Sequence, residues 1–204
     1  EEINRVLTDH VADLLFVPTK LAVNNLEAEG ICGDKVHLVG DVMYDATLYY
    51  NARARRPDTV VLDQSSLFVL CTIHRAENTN DSERLSGIVR ILNQISENVP
   101  VVLPLHPRTA KAFDRLQNMP LNSSIRVINP VGYLEMAWFL DHCALVVTDS
   151  GGLQKEAYFY QKPCITLRDE TEWVELVEAG FNRLCSPFAK DIKQLFQQML
   201  EVEI

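Results

Sequence analysis

Blocks of apolar and polar residues alternate along the chain and predict strands and helices in turn. From about residue 67 onward, short apolar runs such as those at 67–71 and 145–147 are each followed by a longer amphipathic stretch. Polar residues do not alternate within these runs, so both faces of the strands they predict should be buried. The pattern therefore predicts an α/β fold in which a parallel sheet carries helices on both faces.

Periodicity and capping signals assign the individual elements. The first part of the chain is predicted to contain a helix to about residue 12, a strand at 14–17, a helix beginning after the N-cap Thr19 and ending at Gly30, a strand at 36–39 and a helix at 44–54. The second part is predicted to contain strands at 67–72, 101–104, 125–128, 144–148, 164–167 and 183–184, and helices at 81–97, 108–117, 132–142, 152–161, 171–179 and 188–202.

A break in this rhythm predicts the domain boundary. The segment 53–58 is basic and contains Pro57, which is typical of a connecting segment. We place a linker near residues 55–65. The prediction is that residues 1–60 end one domain and that residues 61–204 form a second, Rossmann-like domain.

Parallel sheets bind ligands in the crevice at the carboxyl ends of their strands. The loops at those ends are predicted at 73–80, 105–109, 129–133, 148–152 and 168–172, and each of them carries polar residues. Candidate chemistry is therefore expected in these five loops.

The turn Asp149-Ser150-Gly151-Gly152 follows an apolar strand and precedes a helix. Small residues allow a ligand to approach the backbone, and the N–H groups and dipole of a helix start favour a phosphate. The alternative is an ordinary helix cap made by Asp149 or Ser150. The residues of the turn leave the two interpretations about equal.

Glu156 lies further along the same predicted helix. Its carboxylate could accept two hydrogen bonds from a vicinal diol such as that of ribose. The alternative is a surface glutamate paired with Lys155 or Lys162.

Three other loops could bind an anion or a sugar. His74 and Arg75 directly follow a strand, where they could contact a phosphate or move a proton. The alternative is that they have a structural role in a capping loop. His106 repeats this placement beside Pro107, which favours a structural role. The acidic loop 168–172 could hydrogen-bond sugar hydroxyls and fix Arg168, or cap the next helix.

Composition narrows the classes of function. The formal net charge of −9 argues against nucleic acid or an anionic membrane as a partner. No apolar run reaches the roughly 18 residues needed to cross a bilayer, and the first residues do not form a signal peptide, so a cytoplasmic protein is expected. The five cysteines lack CxxC spacing, which predicts buried free thiols and no metal site.

Six motifs occur in an order that resembles one family. They are Glu1-Glu2-Ile3-Asn4-Arg5, Gly40-Asp41 with Asp45-Ala46, His74-Arg75-Ala76-Glu77-Asn78, Pro104-Leu105-His106-Pro107-Arg108, Thr148-Asp149-Ser150-Gly151-Gly152 with Gln154 and Glu156, and Lys162-Pro163 with Arg168. Together they resemble the non-hydrolysing UDP-N-acetylglucosamine 2-epimerases. The resemblance implies a GT-B-like fold of two Rossmann-like domains, and an isomerase that eliminates UDP across C1–C2 and re-adds it with inversion at C2. It implies neither a metal nor a redox cofactor.

The resemblance also implies roles at the nucleotide. His74 would contact the diphosphate, which Ser150, Gly151 and Gly152 would bind through a hydroxyl and backbone N–H groups. Glu156 would hold the ribose. The resemblance places His74 among the catalytic residues.

Further roles lie at the sugar and the base. Glu1 corresponds to an acidic residue implicated in proton transfer, and Arg5 lies one helical turn away. The segment 131–136 would line the uracil through Val131 and Met136. Trp173 stands at a position where a ligand-contacting residue is implied.

Two positions depart from the best-known members. Met136 replaces an aromatic residue, and Trp173 replaces an arginine, whose charge a tryptophan cannot supply. The form Thr171-Glu172-Trp173-Val174-Glu175 resembles a subgroup that includes epimerases of UDP-2,3-diacetamido-2,3-dideoxyglucuronate. A GT-B glycosyltransferase is a further alternative.

Compared with the members of this family, the chain would lack most of the N-terminal domain before Glu1 and a closing helix after Ile204. The resemblance therefore implies that this chain alone is inactive. It also implies that the full-length enzyme is a homodimer, has a UDP-sugar as its substrate and serves polysaccharide synthesis.

Overall fold

The computed structural model describes residues 2–58, 67–116 and 119–202. Glu1 and most of the predicted linker at 55–65 therefore lie outside the described residues. The chain divides into two compact units, Glu1–Leu48 and Tyr49–Ile204. In the part of the chain that the structure describes, no helix has the length and apolar composition needed to cross a membrane.

The first unit contains a parallel pair of strands. Its elements are α1 (Glu2–Val11), β1 (Leu15–Val17), α2 (Lys20–Ala28), β2 (Val36–Leu38) and the greater part of α3 (Val42–Asn51). The signals at both ends of α2 are confirmed: the Thr19 hydroxyl accepts a hydrogen bond from the N–H of Ala22, and Gly30 adopts φ +80° after the helix.

The second unit is a six-stranded sheet with helices between the strands. Its elements are β3 (Val69–Thr72), α4 (Ala76–Thr79), α5 (Ser82–Ser96), β4 (Val101–Pro104), α6 (Pro107–Asp114), β5 (Ile125–Ile128), α7 (Tyr133–His142), β6 (Leu145–Thr148), α8 (Gly151–Phe159), β7 (Cys164–Thr166), α9 (Val174–Glu178), β8 (Asn182–Leu184) and α10 (Lys193–Leu200). The strand order is β5-β4-β3-β6-β7-β8 and every pair is parallel, as the apolar runs predict.

Both faces of this sheet are covered. Val69 and Cys71 of β3 belong to one core cluster, to which α5 and α10 also contribute. Leu70, between them, belongs to the opposite cluster with residues of α7 and α8. Successive side chains of a strand point to opposite faces, so two apolar layers require a strand without polar residues. The predicted fold class is confirmed.

Several elements differ from the predicted ones, three of them as follows. The four-residue helix α4 lies in a segment predicted as loop, α9 begins at Val174 rather than at residue 171, and α10 begins at Lys193 rather than at residue 188. The late start of α10 has a local reason, because the Asp191 carboxylate accepts a hydrogen bond from the N–H of Lys193.

The cysteines are unpaired. Four are buried, whereas Cys32 is exposed, contrary to its prediction as a buried thiol. Burial raises the pKa of Cys143 and that of Cys164 to about 12, so these two thiols stay protonated near neutral pH.

Gly87 of α5 allows the loop before α10 to approach closely. A Cβ at this position would overlap the backbone carbonyl oxygen of Pro187. We expect Gly87→Ala to lower the free energy of unfolding by about 1–3 kcal/mol, since neither backbone can move without disturbing the core. Urea denaturation checks this. Ser86→Ala, one residue earlier on the helix, is the control and should change the stability by less than about 0.5 kcal/mol. Equal effects of the two variants would contradict the prediction.

Candidate functional site

The strand order reverses between β3 and β6, which are neighbours in the centre of the sheet. In open α/β sheets, the loops that leave such a pair diverge to opposite faces and open a crevice for ligands. Here β3 leads into His74 and β6 leads into Asp149. Two of the predicted functional loops therefore meet at this crevice.

Asp149 joins the two loops. Its side chain has no exposed surface, and its carboxylate accepts hydrogen bonds from the backbone N–H groups of His74 at 3.0 Å and Arg75 at 3.1 Å. The Nδ1 atom of His74 lies 3.3 Å from the same carboxylate. Because a carboxylate only accepts, Nδ1 carries the proton there and Nε2 remains for another partner. The His74 side chain itself is 54% exposed.

Asn78 extends this connection to the third loop. Its side-chain amide is fully buried and donates to Asp149 and to the Leu167 carbonyl, each at 3.1 Å. The Asn78 oxygen accepts a hydrogen bond from Nε of Arg84 at 3.0 Å, and Arg84 also pairs with Asp169 at 2.9 Å. The sequence motif contained Asn78 but gave it no role, because its partners Asp149 and Leu167 are distant in the sequence.

Ser150, Gly151 and Gly152 form the start of α8. The Ser150 hydroxyl accepts a hydrogen bond from the N–H of Leu153, so the residue caps the helix. The N–H groups of Gly151 and Gly152 belong to the first turn, where the helix supplies no acceptor. The cap and the phosphate cradle are therefore compatible, because capping by Ser150 leaves these two donors at the positive end of the helix.

Gly151 is also in contact with an acidic side chain. A Cβ on Gly151 would overlap the Glu172 carboxylate. Glu172 pairs with the buried Arg168 at 2.6 Å and with Arg75 at 3.5 Å. Burial alone would raise the pKa of Glu172, but hydrogen bonds from its own N–H and from Arg168 outweigh burial and hold the pKa below its ordinary value.

These contacts bear on the two interpretations of the acidic loop. Glu172 fixes Arg168, as one alternative predicted. The other alternative, a cap by Thr171, is wrong for α9: the Thr171 hydroxyl accepts from the N–H of Trp173 and donates to Gln154 instead.

Glu156 lies on α8 beyond the turn and is half-buried. Burial raises its pKa, and a hydrogen bond from the Tyr133 hydroxyl opposes that rise. Tyr133 begins α7, and its ring meets that of Tyr50 edge to face at 5.1 Å between centroids. A half-buried carboxylate beside an aromatic hydroxyl is suited to accept hydrogen bonds from sugar hydroxyls. The sequence reasoning overlooked Tyr133, although its place within the 129–133 loop was a signal.

Val131 and Met136 belong to the second unit, where Val131 precedes α7 and Met136 lies on it. Both are partly buried and pack against the core cluster that contains Leu153 and Ala157 of α8. Met136 on α7, Val131 in the loop before α7 and Glu156 on α8 thus belong to segments that pack on one core cluster.

Trp173 packs against the phosphate-type turn. Its indole N–H donates to the Gly151 carbonyl at 2.8 Å, and the Lys155 ammonium lies 4.2 Å from its ring centroid. The fully buried Gln154 completes this arrangement by donating to the Ser150 carbonyl at 3.1 Å. The sequence placed Gln154 in a motif without a role. Its spacing of four residues from Ser150 was the available signal.

The remaining candidates make local contacts of their own. His106 accepts a hydrogen bond from the N–H of Arg108 and caps α6, the structural role that was favoured. Arg5 belongs to the first unit and pairs with Glu2, Asp9 and Glu29. Within residues 2–58, 67–116 and 119–202, no group of three or more His, Cys, Asp or Glu residues is arranged to hold a metal ion.

Known proteins are similar to this chain in sequence and in fold. A family model described as UDP-N-acetylglucosamine 2-epimerase matches residues 1–203. UDP-2,3-diacetamido-2,3-dideoxy-D-glucuronate 2-epimerase of Pseudomonas aeruginosa is 54% identical over 187 residues, which cover 90% of this chain and 51% of that protein. UDP-N-acetylglucosamine 2-epimerase of Methanocaldococcus jannaschii is 43% identical over 196 residues, covering 90% of this chain and 53% of that protein. The chain spans about half the length of these relatives.

Solved structures agree. The crystal structure of the M. jannaschii UDP-GlcNAc 2-epimerase in complex with UDP-GlcNAc and UDP matches with a TM-score of 0.87 and 41% identity, over 100% of this chain and 58% of that one. The glycosyltransferase SnogD from Streptomyces nogalater shares the fold alone, with a TM-score of 0.56 and 13% identity over 72% of this chain and 39% of that one. The family match extends over nearly every residue, and the resemblance found in the motifs is confirmed: the chain belongs to the UDP-N-acetylglucosamine 2-epimerase family.

Proposed function

We propose that this chain forms the nucleotide-binding part of a UDP-sugar 2-epimerase, an isomerase that interconverts UDP-N-acetylglucosamine and UDP-N-acetylmannosamine. One observation carries the proposal. Helix α8 begins at the switch point of the sheet, and the N–H groups of its first turn have no acceptor within the helix. The same helix carries the half-buried carboxylate of Glu156. This combination suits a ligand that has both a diphosphate and a ribose.

The residues of the crevice would stabilise UDP as it leaves the sugar. Negative charge develops on the diphosphate when the bond to C1 breaks, and preorganised donors stabilise such charge. The donors that we assign to it are the N–H groups of Gly151 and Gly152, the Ser150 hydroxyl, and Nε2–H of His74 in the imidazolium form, in which both ring nitrogens carry a proton. Glu156 would accept from the ribose hydroxyls.

We propose roles for four further residues. Val131 and Met136 would contact the uracil, and Glu1 and Arg5 would act at the sugar, with Glu1 in proton transfer. We also propose that residues 1–60 and 61–204 belong to separate domains, and that the full-length enzyme is a cytoplasmic homodimer. The free cysteines are consistent with a reducing compartment.

A second substrate is favoured by specific observations. The P. aeruginosa relative, named for UDP-2,3-diacetamido-2,3-dideoxy-D-glucuronate, shares 54% identity with this chain. Trp173 belongs to the form Thr171-Glu172-Trp173-Val174-Glu175, which resembles a subgroup that includes epimerases of this UDP-sugar. Comparison of kcat/KM for the two UDP-sugars, measured with the full-length enzyme, distinguishes these substrates.

The reaction type is tested by proton exchange. An epimerase must break the C2–H bond, so incubation of the full-length protein with either UDP-sugar in deuterated water should place deuterium at C2 of the recovered UDP-sugar, detectable by NMR. A GT-B glycosyltransferase would leave that position unlabelled and transfer the sugar to an acceptor. Absence of label from both UDP-sugars, in a full-length protein that binds UDP, would refute the epimerase proposal.

A further inference from the structure

Two peptide groups at the start of α8 are each held from behind by a side chain. In a trans peptide group, the C=O and the N–H of the next residue lie in one plane and point in opposite directions. The Gly151 carbonyl thus shares a peptide group with the Gly152 N–H, and the Ser150 carbonyl shares one with the Gly151 N–H. A donor on either carbonyl acts on the opposite N–H.

Both carbonyls have such a donor. The Trp173 indole N–H donates to the Gly151 carbonyl at 2.8 Å, and the Gln154 amide donates to the Ser150 carbonyl at 3.1 Å. These bonds come in addition to the hydrogen bonds of the helix backbone, so each fixes the tilt of its peptide plane. A hydrogen bond at the oxygen also polarises the peptide and strengthens its N–H as a donor.

The two side chains are themselves held firmly. The Gln154 oxygen accepts from the Thr171 hydroxyl at 2.6 Å and from the Asn182 amide at 2.9 Å, which fixes the direction of its NH₂ group. The Trp173 ring lies against Lys155, with the ammonium 4.2 Å from the ring centroid.

We propose that Trp173 and Gln154 are positioning residues, which aim and strengthen the N–H groups of Gly152 and Gly151 toward the diphosphate of the substrate. This inference rests on the proposed function. It gives Trp173 a role that acts through the backbone of the turn, where a direct contact with the ligand had been predicted. Loss of the indole donor should therefore affect the diphosphate and leave the nucleoside unaffected.

Trp173→Phe isolates the effect because it removes the N–H and keeps a ring beside Lys155. We expect calorimetry to show UDP binding about three- to tenfold weaker, which corresponds to one net hydrogen bond. Uridine, which has no phosphate, should bind the variant within about twofold of the wild type in an NMR titration. The amide proton of Gly152 should move to lower chemical shift in the unliganded variant, since its peptide is less polarised.

Trp138→Phe is the matched control. Trp138 lies on α7 and stacks on His142 at 4.3 Å between ring centroids, so the same change there should leave the UDP-to-uridine affinity ratio unchanged. If wild type fails to bind UDP, the proposed function itself is wrong. If wild type binds UDP, but Trp173→Phe weakens UDP and uridine equally or weakens neither, the positioning role is wrong.

Discussion

Replacement of Asp149 by asparagine is expected to lower the free energy of unfolding by about 3–5 kcal/mol and to abolish UDP binding. The Asp149 carboxylate is completely buried and accepts from the N–H groups of His74 and Arg75 and from the Asn78 amide. Asparagine would turn an NH₂ group toward these donors in either orientation. At least one buried donor would lose its acceptor, and the two loops of the crevice would separate.

Urea denaturation and calorimetric titration with UDP check both parts of this prediction. Asp141→Asn serves as the control, because Asp141 is 46% exposed and lies 3.5 Å from Nδ1 of the equally exposed His142. That variant should lose less than about 1 kcal/mol and retain its affinity for UDP. A fully stable Asp149→Asn protein that binds UDP normally would show that the loops do not depend on this carboxylate.

Replacement of Glu156 by glutamine should weaken the preference for ribose over deoxyribose, because the amide oxygen is a neutral acceptor. A charged acceptor gains about 1.5–3 kcal/mol from a hydroxyl donor, so we expect wild type to bind UDP about 10- to 100-fold more tightly than 2′-deoxy-UDP. In Glu156→Gln this ratio should fall toward one. Glu178→Gln, an exposed position on α9, is the control and should leave the ratio unchanged.

The pH dependence of this preference follows from the burial of Glu156. Because burial raises the pKa of Glu156, the side chain takes up its proton at a higher pH than an ordinary glutamate. The preference for ribose should therefore weaken as the pH falls through that raised pKa. A preference that is constant down to the ordinary pKa of 4.5 would contradict the assignment.

The same shift predicts how the variant affects stability. The folded chain binds this proton more tightly than the unfolded chain, so the stabilisation is complete below the unfolded pKa and is lost as the pH rises through the folded pKa. At neutral pH, wild type carries a partly buried charge that glutamine lacks. Glu156→Gln should thus be at least as stable as wild type at neutral pH, which separates loss of binding from loss of folding.

Local features of the sequence determined the elements and the class of fold. An apolar run without alternating polar residues requires that both faces of its strand be buried. This alone predicted the apolar layers on the two faces of β3 and β6. Thr19 and Gly30 marked the ends of α2 because capping depends on neighbouring residues only. The motifs likewise identified the family, since their order is a property of the chain itself.

The tertiary structure decided which of these residues act together. Asp149 and its partners His74 and Asn78 are more than 70 residues apart in the sequence, and they meet because β3 and β6 are neighbours where the strand order reverses. Trp173 meets Gly151 because β7, which precedes Trp173, pairs with β6, which precedes Gly151. Periodicity describes each strand separately and does not contain the order of strands in a sheet. The phosphate-type turn could therefore be read from the sequence, whereas the side chains that hold it could not.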